Sequence, residues 1–317
     1  MSQQQNNDSV DDWIFIVNPM AGGGTVRKRW TAIQASLQAA GIRFHAVFTE
    51  RKFHAAELAE RAIAEGHRQL VAVGGDGTAH EVVNGILRQA TCAPEEVTFT
   101  LLPVGTGNDW VKTHGIPKDT DRWLSFFRRG KTALQDVGWA SYHVDGQAQK
   151  RFFINVAGLS YDAYVARRAE AYKTQVSSTV FYLFLIFRCL FEFRVPRLRV
   201  VYDGKTDEQR FYTINLGICR YSGGGLQLVP HAVPDDGKLA LTLAGHISKL
   251  GVLLVTPFFY SGKIAWHPKV FLAQVTNVTV ESADNQPVLL EADGEFLGEG
   301  PVQVGILHKK LRVLTNA

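Results

Sequence analysis

The chain has 317 residues, enough for one large domain or two ordinary ones. Its 46% hydrophobic and 20% charged content is that of a globular protein and excludes a disordered or fibrous chain. A net charge of +4 argues against a dedicated nucleic-acid binder, and three widely spaced cysteines, Cys92, Cys189 and Cys219, give no disulfide framework or metal motif, which favours a reducing cytoplasm.

Residues 1–11 are polar, lack an apolar core segment and read as a disordered tail. Trp13 to Val17 reads as a buried strand. The turn Asn18 to Gly24 follows, then a helix with Val26, Trp30, Ile33 and Leu37 at helical spacing, stopped by Gly41. Ile42 to Thr49 alternates as a second strand, and Ala55 to Ile63 gives a second amphipathic helix. Leu70 to Val73 suits a strand buried on both faces. Gly74, Gly75, Asp76 and Gly77 follow, and Thr78 is placed to cap a helix carrying Val82, Val83, Ile86 and Leu87. Thr98 to Leu102 is a fourth strand, ending in Pro103 to Asp109. Strands alternating with helices imply a parallel sheet with right-handed crossovers, and such sheets bind ligands beyond the carboxyl ends of their strands. Thr49 and the three glycine-bearing turns all fall there.

Beyond Gly130 the pattern changes to closely spaced strand-like runs: Ala133 to Val137, Tyr142 to Val144, Arg151 to Val156, Leu198 to Tyr202 and Phe211 to Leu216. Leu239 to Leu243, Val275 to Val280, Val288 to Ala292 and Val302 to Leu307 continue it. Asp145-Gly146 and Asp203-Gly204 suit hairpin turns. The second half therefore reads as antiparallel β with two inserted helices, Tyr161 to Arg194 and Ser248 to Tyr260. The fold class is α/β in two domains, with 12–130 the α/β domain and 131–307 the β-rich domain. The run Val180 to Phe187 is too short for a membrane span, which needs roughly 18 apolar residues, and is closed by Arg188. It reads as a core helix, or as one that lines a lipid cleft or touches a membrane.

The turn Gly74 to Thr78 holds three glycines and an acid in five residues, more than a plain strand-to-helix turn requires. Glycines let the backbone approach a ligand, and a helix N-terminus favours phosphate. No P-loop sequence is present. Asp76 among phosphates makes sense with a cation between them. Pro103 to Asp109, PVGTGND, repeats the theme, although alone it also reads as a tight loop with an Asx turn. Asn18 to Gly24, NPMAGGG, is the least specific of the three. His45, His54, His80 and His114 lack metal spacing and read as structural or surface residues.

Together, NPMAGGG, GGDGT and PVGTGND resemble the catalytic-domain signature of the diacylglycerol kinase family, bacterial soluble lipid kinase type. Phe153-Ile154-Asn155 to Asp162-Ala163, Ser222 to Gly225, Pro234 to Leu239 and Asp293-Gly294-Glu295 extend the likeness over nearly the whole chain. Trp110 departs from the family's usual phenylalanine. The resemblance implies a Rossmann-like first domain, distantly shared with NAD kinases, and a second domain that is β-sandwich-like, with a last strand near 308–317 that returns to the first domain. It implies an ATP site formed by Asn18, Thr49, Gly74, Gly75, Asp76, Gly77, Thr78 and Thr106, with Asn108 and Asp109 in a substrate and metal network. Asp76 would support Mg²⁺ through water, and Glu295 would be the base, with Asp293 its competitor or an orienting group. A structural Mg²⁺ would sit at Asp236 and the carbonyls of Val233 and Lys238. Without the resemblance, Asp236 reads as a solvated turn and Asp293-Gly294 as hairpin chemistry.

The function implied is transfer of the ATP γ-phosphate to a lipid hydroxyl, with diacylglycerol the first candidate and phosphatidic acid the product. A sphingoid base, a phosphatidylglycerol-like lipid or a polyprenol is the alternative acceptor. An NAD kinase or a non-catalytic nucleotide- or lipid-binding regulator ranks lower. The expected setting is cytoplasmic with peripheral contact at a membrane surface, helped by the aromatic helix, by Phe258, Phe259 and Tyr260, and by Arg188, Arg194, Arg197 and Arg199. The resemblance also allows a homodimer, which nothing in the residues requires.

Overall fold

The first strand is the apolar run Trp13–Val17 (β1), buried from Ile14 onward. In the computed structural model, which describes residues 12–105, 107–172 and 179–316, it lies between two parallel neighbours. These are Phe44–Phe48 (β2) and Gln69–Gly74 (β3), with Thr98–Pro103 (β4) beyond β3. Phe15 stands opposite Ala46 on one side and Val71 on the other. The sheet order is therefore β2-β1-β3-β4, and all four carboxyl ends lie along one edge. The tail expected at 1–11 and the role expected of Thr106 lie outside the described residues.

Helices Ala21–Ala39 (α1), His54–Ala64 (α2) and Asp76–Arg88 (α3) connect these strands. The apolar stripe Val26, Trp30, Ile33 and Leu37 of α1 is buried, as its spacing requires. α2 and α3 pack tightly enough that a Cβ on Gly85 would lie 2.3 Å from the Ala56 carbonyl oxygen. The short helix Trp110–Thr113 (α4) and Thr120–Arg129 (α5) follow β4. From α5, Trp123 and Phe127 stack at 4.7 Å and meet Phe15. Burial of these large rings is the main favourable term holding the layer.

The second set of strands comprises Thr132–Val144 (β5), Gln147–Phe153 (β6), Val156–Ser160 (β7), Arg197–Tyr202 (β8) and Lys205–Gly217 (β9). Tyr221–Ser222 (β10) and Leu226–Gln227 (β11) form a small separate ladder. Leu239–Gly245 (β12), Val270–Val275 (β13), Asn277–Ser282 (β14), Leu289–Ala292 (β15) and Glu295–Leu314 (β16) complete the set. β13-β12-β9-β7-β15 run antiparallel, and β14 lies between β8 and β16. Asp145-Gly146 and Asp203-Gly204 turn the hairpins with positive φ at both residues. Residues 12–135 with 310–316 form one compact unit, and Asp136–Lys309 form the other. The first is a Rossmann-like α/β domain and the second a β-sandwich-like domain. In the first, the end of β16 pairs in parallel with β4, Arg312 opposite Thr98 and Val313 opposite Phe99.

Several element boundaries differ from the sequence pattern. Ala133 to Val137 and Tyr142 to Val144 are one strand, β5. The run Val275 to Val280 is broken at Thr276, where the Asp203 carboxylate accepts its N–H at 3.3 Å and its hydroxyl at 3.2 Å, so β13 and β14 find different partners. A strand at Val156–Ser160 escapes the alternation rule because all five of its residues are buried. The expected helix Tyr161 to Arg194 comprises two, Tyr161–Ala171 (α6) and Thr179–Glu192 (α7), with 173–178 outside the described residues. The other inserted helix is Lys249–Ser261 (α8), capped by the Ser248 hydroxyl accepting the Gly251 N–H at 3.1 Å.

Candidate active site

In the first unit, three loops meet at the carboxyl edge of the parallel sheet. Gly22, Gly23 and Gly24 all have φ between +60° and +83°, a left-handed run that only glycine tolerates well. A Cβ on Gly22 would lie 3.1 Å from the Gly105 Cα, so the first and third glycine loops touch backbone to backbone. Asn18 ties the first loop to the second, its Nδ2 donating to Thr78 Oγ1 at 3.2 Å. Thr78 is therefore not the helix cap expected of it. α3 begins two residues earlier, at Asp76, with extended Gly75 in the capping position. Thr49 follows β2, its N–H donating to the Val17 carbonyl at 2.9 Å.

Asp76 sits in the first turn of α3, where a negative charge is favourable. Its carboxylate reaches the third loop: Asp109 N–H donates to Oδ2 at 2.9 Å and Trp110 N–H to Oδ1 at 3.3 Å. Asp109 is buried and accepts from Lys112 Nζ at 2.7 Å. Asn108 is buried with φ +61°, and its Oδ1 has no hydrogen-bond donor among the described residues. That oxygen would lie 3.4 Å from a Cβ on Gly75, and Asp76 Oδ2 would lie 3.5 Å from one on Gly107. The two glycines thus leave room over the first turn of α3, and a helix N-terminus suits an anion.

A divalent cation fits this arrangement. A half-buried carboxylate and an orphaned amide oxygen are hard donors, and Mg²⁺ needs one or two carboxylates while keeping its waters. Among the described residues no three His, Cys, Asp or Glu side chains cluster to hold a metal by themselves. The histidines stand apart: His45 lies beside Asp12, His54 Nδ1 accepts the Glu50 N–H, and His80 is buried near Phe53. Burial pushes the His114 imidazole down to about 4, so it is neutral when it donates to Gln135 Oε1 at 2.6 Å, an oxygen it shares with the Trp110 indole N–H. The family's usual phenylalanine at Trp110 could not make that second bond. A roomier concavity of about 540 Å³ runs along β2 past Trp30, Phe44 and Phe48, with none of these loops in its wall, so volume alone does not find the site.

In the second unit, Asp293 lies in the turn between β15 and β16, and Glu295 begins β16. Asp293 has φ +51° and is buried. Its two carboxylate oxygens accept Ile154 N–H at 3.1 Å and Asn155 N–H at 2.9 Å, and its own N–H donates to the Val156 carbonyl at 2.9 Å. These bonds commit Asp293 to fixing the turn. Glu295 is half-exposed at the start of β16. In the loop before β12, Asp236 is exposed. Its Oδ1 accepts the Lys238 N–H at 3.0 Å and its Oδ2 accepts from Gln274 at 3.0 Å, while Val233 is exposed beside it. One carboxylate with backbone carbonyls is a donor set that a small hard cation accepts if water completes the shell.

Sequence reasoning missed Glu291, a buried acid on β15 whose Oε2 accepts the Gly294 N–H at 2.9 Å. The signal was an acid inside the apolar run Val288 to Ala292. It also missed Asp136, fully buried, which accepts N–H bonds from Gly237 at 2.6 Å and Lys309 at 2.7 Å.

The profile of the diacylglycerol kinase catalytic domain matches residues 12–140, and that of the YegS C-terminal NAD kinase beta sandwich-like domain matches residues 155–315. The chain belongs to the diacylglycerol kinase family. It is a lipid kinase, a phosphotransferase. The diacylglycerol kinase of Staphylococcus aureus (strain bovine RF122 / ET3-1) is 28% identical over 301 residues, covering 94% of this chain and 90% of that protein. The solved structure of a candidate diacylglycerol kinase from Bacillus anthracis str. Sterne superimposes with a TM-score of 0.74 at 21% identity, over 97% of this chain and 98% of that one. Yeast NADH kinase complexed with NADH shares the fold more distantly, with a TM-score of 0.50 at 13% identity, over 98% and 85%.

Proposed function

We propose that this lipid kinase moves the γ-phosphoryl group of ATP to a lipid hydroxyl, with diacylglycerol the first candidate and phosphatidic acid the product. The observation that carries the reading is Asp76, held at 2.9 Å against the Asp109 N–H where the glycine turns meet. Phosphoryl transfer depends on positioning and charge stabilisation more than on covalent chemistry by the protein. The backbone of Gly74, Gly75, Gly77 and Thr78 seats the phosphates, and Asn18 and Thr49 border the nucleotide. Asp76, with Asn108 and Asp109, would hold Mg²⁺ and its waters. When bound, that cation neutralises charge on the phosphate oxygens. Glu295 takes the proton of the acceptor hydroxyl. The two bonds on Asp293 favour Glu295 for this role, because both Asp293 carboxylate oxygens are already committed to backbone N–H groups.

The acceptor reaches the enzyme from a bilayer. No described helix is long and apolar enough to cross a membrane. Phe187 and Phe191 of α7, Leu250, Leu254 and Phe258 of α8, and Trp266 just beyond it are all exposed. Lys249 donates to the Phe191 carbonyl and lies 5.6 Å from its ring centroid, and Lys263 lies 4.9 Å from that of Trp266. Apolar side chains beside lysines suit an anionic lipid surface. The arginines expected to serve there are partly engaged, Arg188 with Glu192 and Arg197 with Glu208.

The deciding experiment incubates the protein with labelled ATP, Mg²⁺ and a panel of extracted lipids, then identifies the labelled product. Labelled phosphatidic acid is expected, and Glu295→Gln should abolish it while leaving ATP binding nearly intact. A labelled dinucleotide formed on adding NAD, with no labelled lipid, would overturn the reading.

A further inference from the structure

Glu291 is 4% exposed, and its two carboxyl oxygens face different tasks. Oε2 accepts the Gly294 N–H, as described, inside the turn that carries Glu295. Oε1 lies over Gly158 of the neighbouring strand. A Cβ on Gly158 would sit 2.5 Å from Glu291 Oε1, 3.0 Å from the Asp162 Cβ and 3.2 Å from Asn215 Oδ1. Glycine at 158 thus lets three polar side chains close over the same small space.

The hydrogen-bond directions around that space are fixed by a short chain. Asn215 Nδ2 donates to Thr213 Oγ1 at 3.1 Å, and the Thr213 hydroxyl donates to Asp162 Oδ2. With its amide nitrogen committed, Asn215 leaves its oxygen over Gly158, on the side where Glu291 Oε1 also lies. Asn215 is 0% exposed, and its Oδ1 has no donor among the described residues. A buried acceptor left without a donor is destabilising. Among the described residues, the titratable groups that act on Glu291 are Asp162 from α6 and Asp293 from the turn; β7 presents Gly158, whose N–H also donates to Glu291, and β9 presents Thr213 and Asn215. None of these supplies a positive charge.

We propose that Glu291 is a neutral carboxylic acid whose proton points at Asn215 Oδ1, and that it is a positioning residue for Glu295 through its bond to Gly294. The proton removes two defects together, an unpaired amide oxygen and an uncompensated buried charge. Burial, with the charges of Asp162 and Asp293, holds the Glu291 carboxyl well above its usual range, against the pull of the Gly294 and Gly158 N–H groups. The turn is then gripped by two acids: Asp293 on two backbone donors, and neutral Glu291 spanning Gly294 and Asn215. The positioning part of the proposal rests on Glu295 being the base.

Two variants separate the possibilities. Glu291→Gln keeps an acceptor for Gly294 and a donor for Asn215, whereas Glu291→Ala removes both. At neutral pH the infrared carbonyl band of a buried protonated acid should be present in the parent protein and absent from Glu291→Gln. A folded-state pKa raised above the ordinary 4.5 gives stability that is complete below that value and is lost as pH rises through the raised one. Glu291→Gln should abolish that alkaline loss. In lipid phosphorylation, Glu291→Ala should lower kcat on the order of tenfold or more with KM for ATP unchanged, and Glu291→Gln should restore most of it. Absence of the infrared band, or a glutamine variant as impaired as the alanine one, would overturn the proposal. If Glu295→Gln proves fully active, the base assignment fails while the infrared and stability results still decide the state of Glu291.

Discussion

The candidate site of the first unit is built from backbone, and the acid turn of the second unit is built from buried side chains. At the edge of the parallel sheet, glycine loops touch and Asp76 bonds the N–H groups of Asp109 and Trp110. At the β15–β16 turn, Asp293 and Glu291 reach N–H groups of Ile154, Asn155 and Gly294. The difference suits the ligands proposed for the two units. Phosphate is small, always charged and well served by N–H groups at a helix start. A proton acceptor for an alcohol must instead have its charge and orientation tuned, and neighbouring acids supply that control.

The largest expected effect comes from breaking the first region at Asp76. Asp76→Asn keeps an oxygen to accept from the loop but loses the charge; Asp76→Ala loses both. If the carboxylate supports the cation, both variants should lose phosphoryl transfer by at least about a thousandfold while remaining folded. Circular dichroism and single-turnover assays with lipid in micelles would measure this. An asparagine variant with normal turnover would reduce Asp76 to a loop anchor and remove the metal reading from this half.

A smaller effect is expected at the aromatic face of the second unit. Replacing Phe187, Leu254 and Trp266 together by serine removes three exposed apolar anchors. Binding to phosphatidylglycerol vesicles should fall by at least about tenfold, since inserting even part of each side chain into lipid is favourable by a large fraction of 1 kcal/mol. Turnover of a detergent-dispersed acceptor should persist. Unchanged vesicle binding would remove this face from the account and leave the second unit with its acid turn alone.

The two regions also differ in how far sequence reveals them. The proposed seat of the phosphates is written locally: GGDGT is five consecutive residues, and strand alternation places its loop beside the other two. The glycine pattern did not show that Thr78 serves Asn18 instead of capping α3, because a cap and a cross-loop bond use the same hydroxyl. In the second region, Asp293 is 139 residues from Ile154 and 138 from Asn155, and no local rule pairs such positions. Glu291 was hidden for a related reason. Its meaning lies in Gly158 and Asn215 on neighbouring strands, and only register brings them together. Strands buried on both faces, such as Val156–Ser160, lack the alternation that reveals a half-exposed strand.

The smallest expected effect is at the loop bearing Val233, Asp236 and Lys238. This loop is already held by Asp136, whose buried carboxylate accepts from Gly237, from Lys309 and from His308 Nδ1 at 2.8 Å. Asp236 is exposed and adds bonds only to Lys238 and Gln274. Asp236→Ala should therefore lower Tm by no more than a few degrees in the absence of divalent cation. If Asp236 and the two carbonyls bind Mg²⁺, adding the cation should raise the Tm of the parent protein and not that of the variant, because a ligand stabilises only the state that binds it. The measurement is a pair of thermal scans with Mg²⁺ or a chelator. Equal responses in the two proteins would leave Asp136 alone as the organiser of this loop, and the second unit would then hold its chemistry with acids and hydrogen bonds throughout.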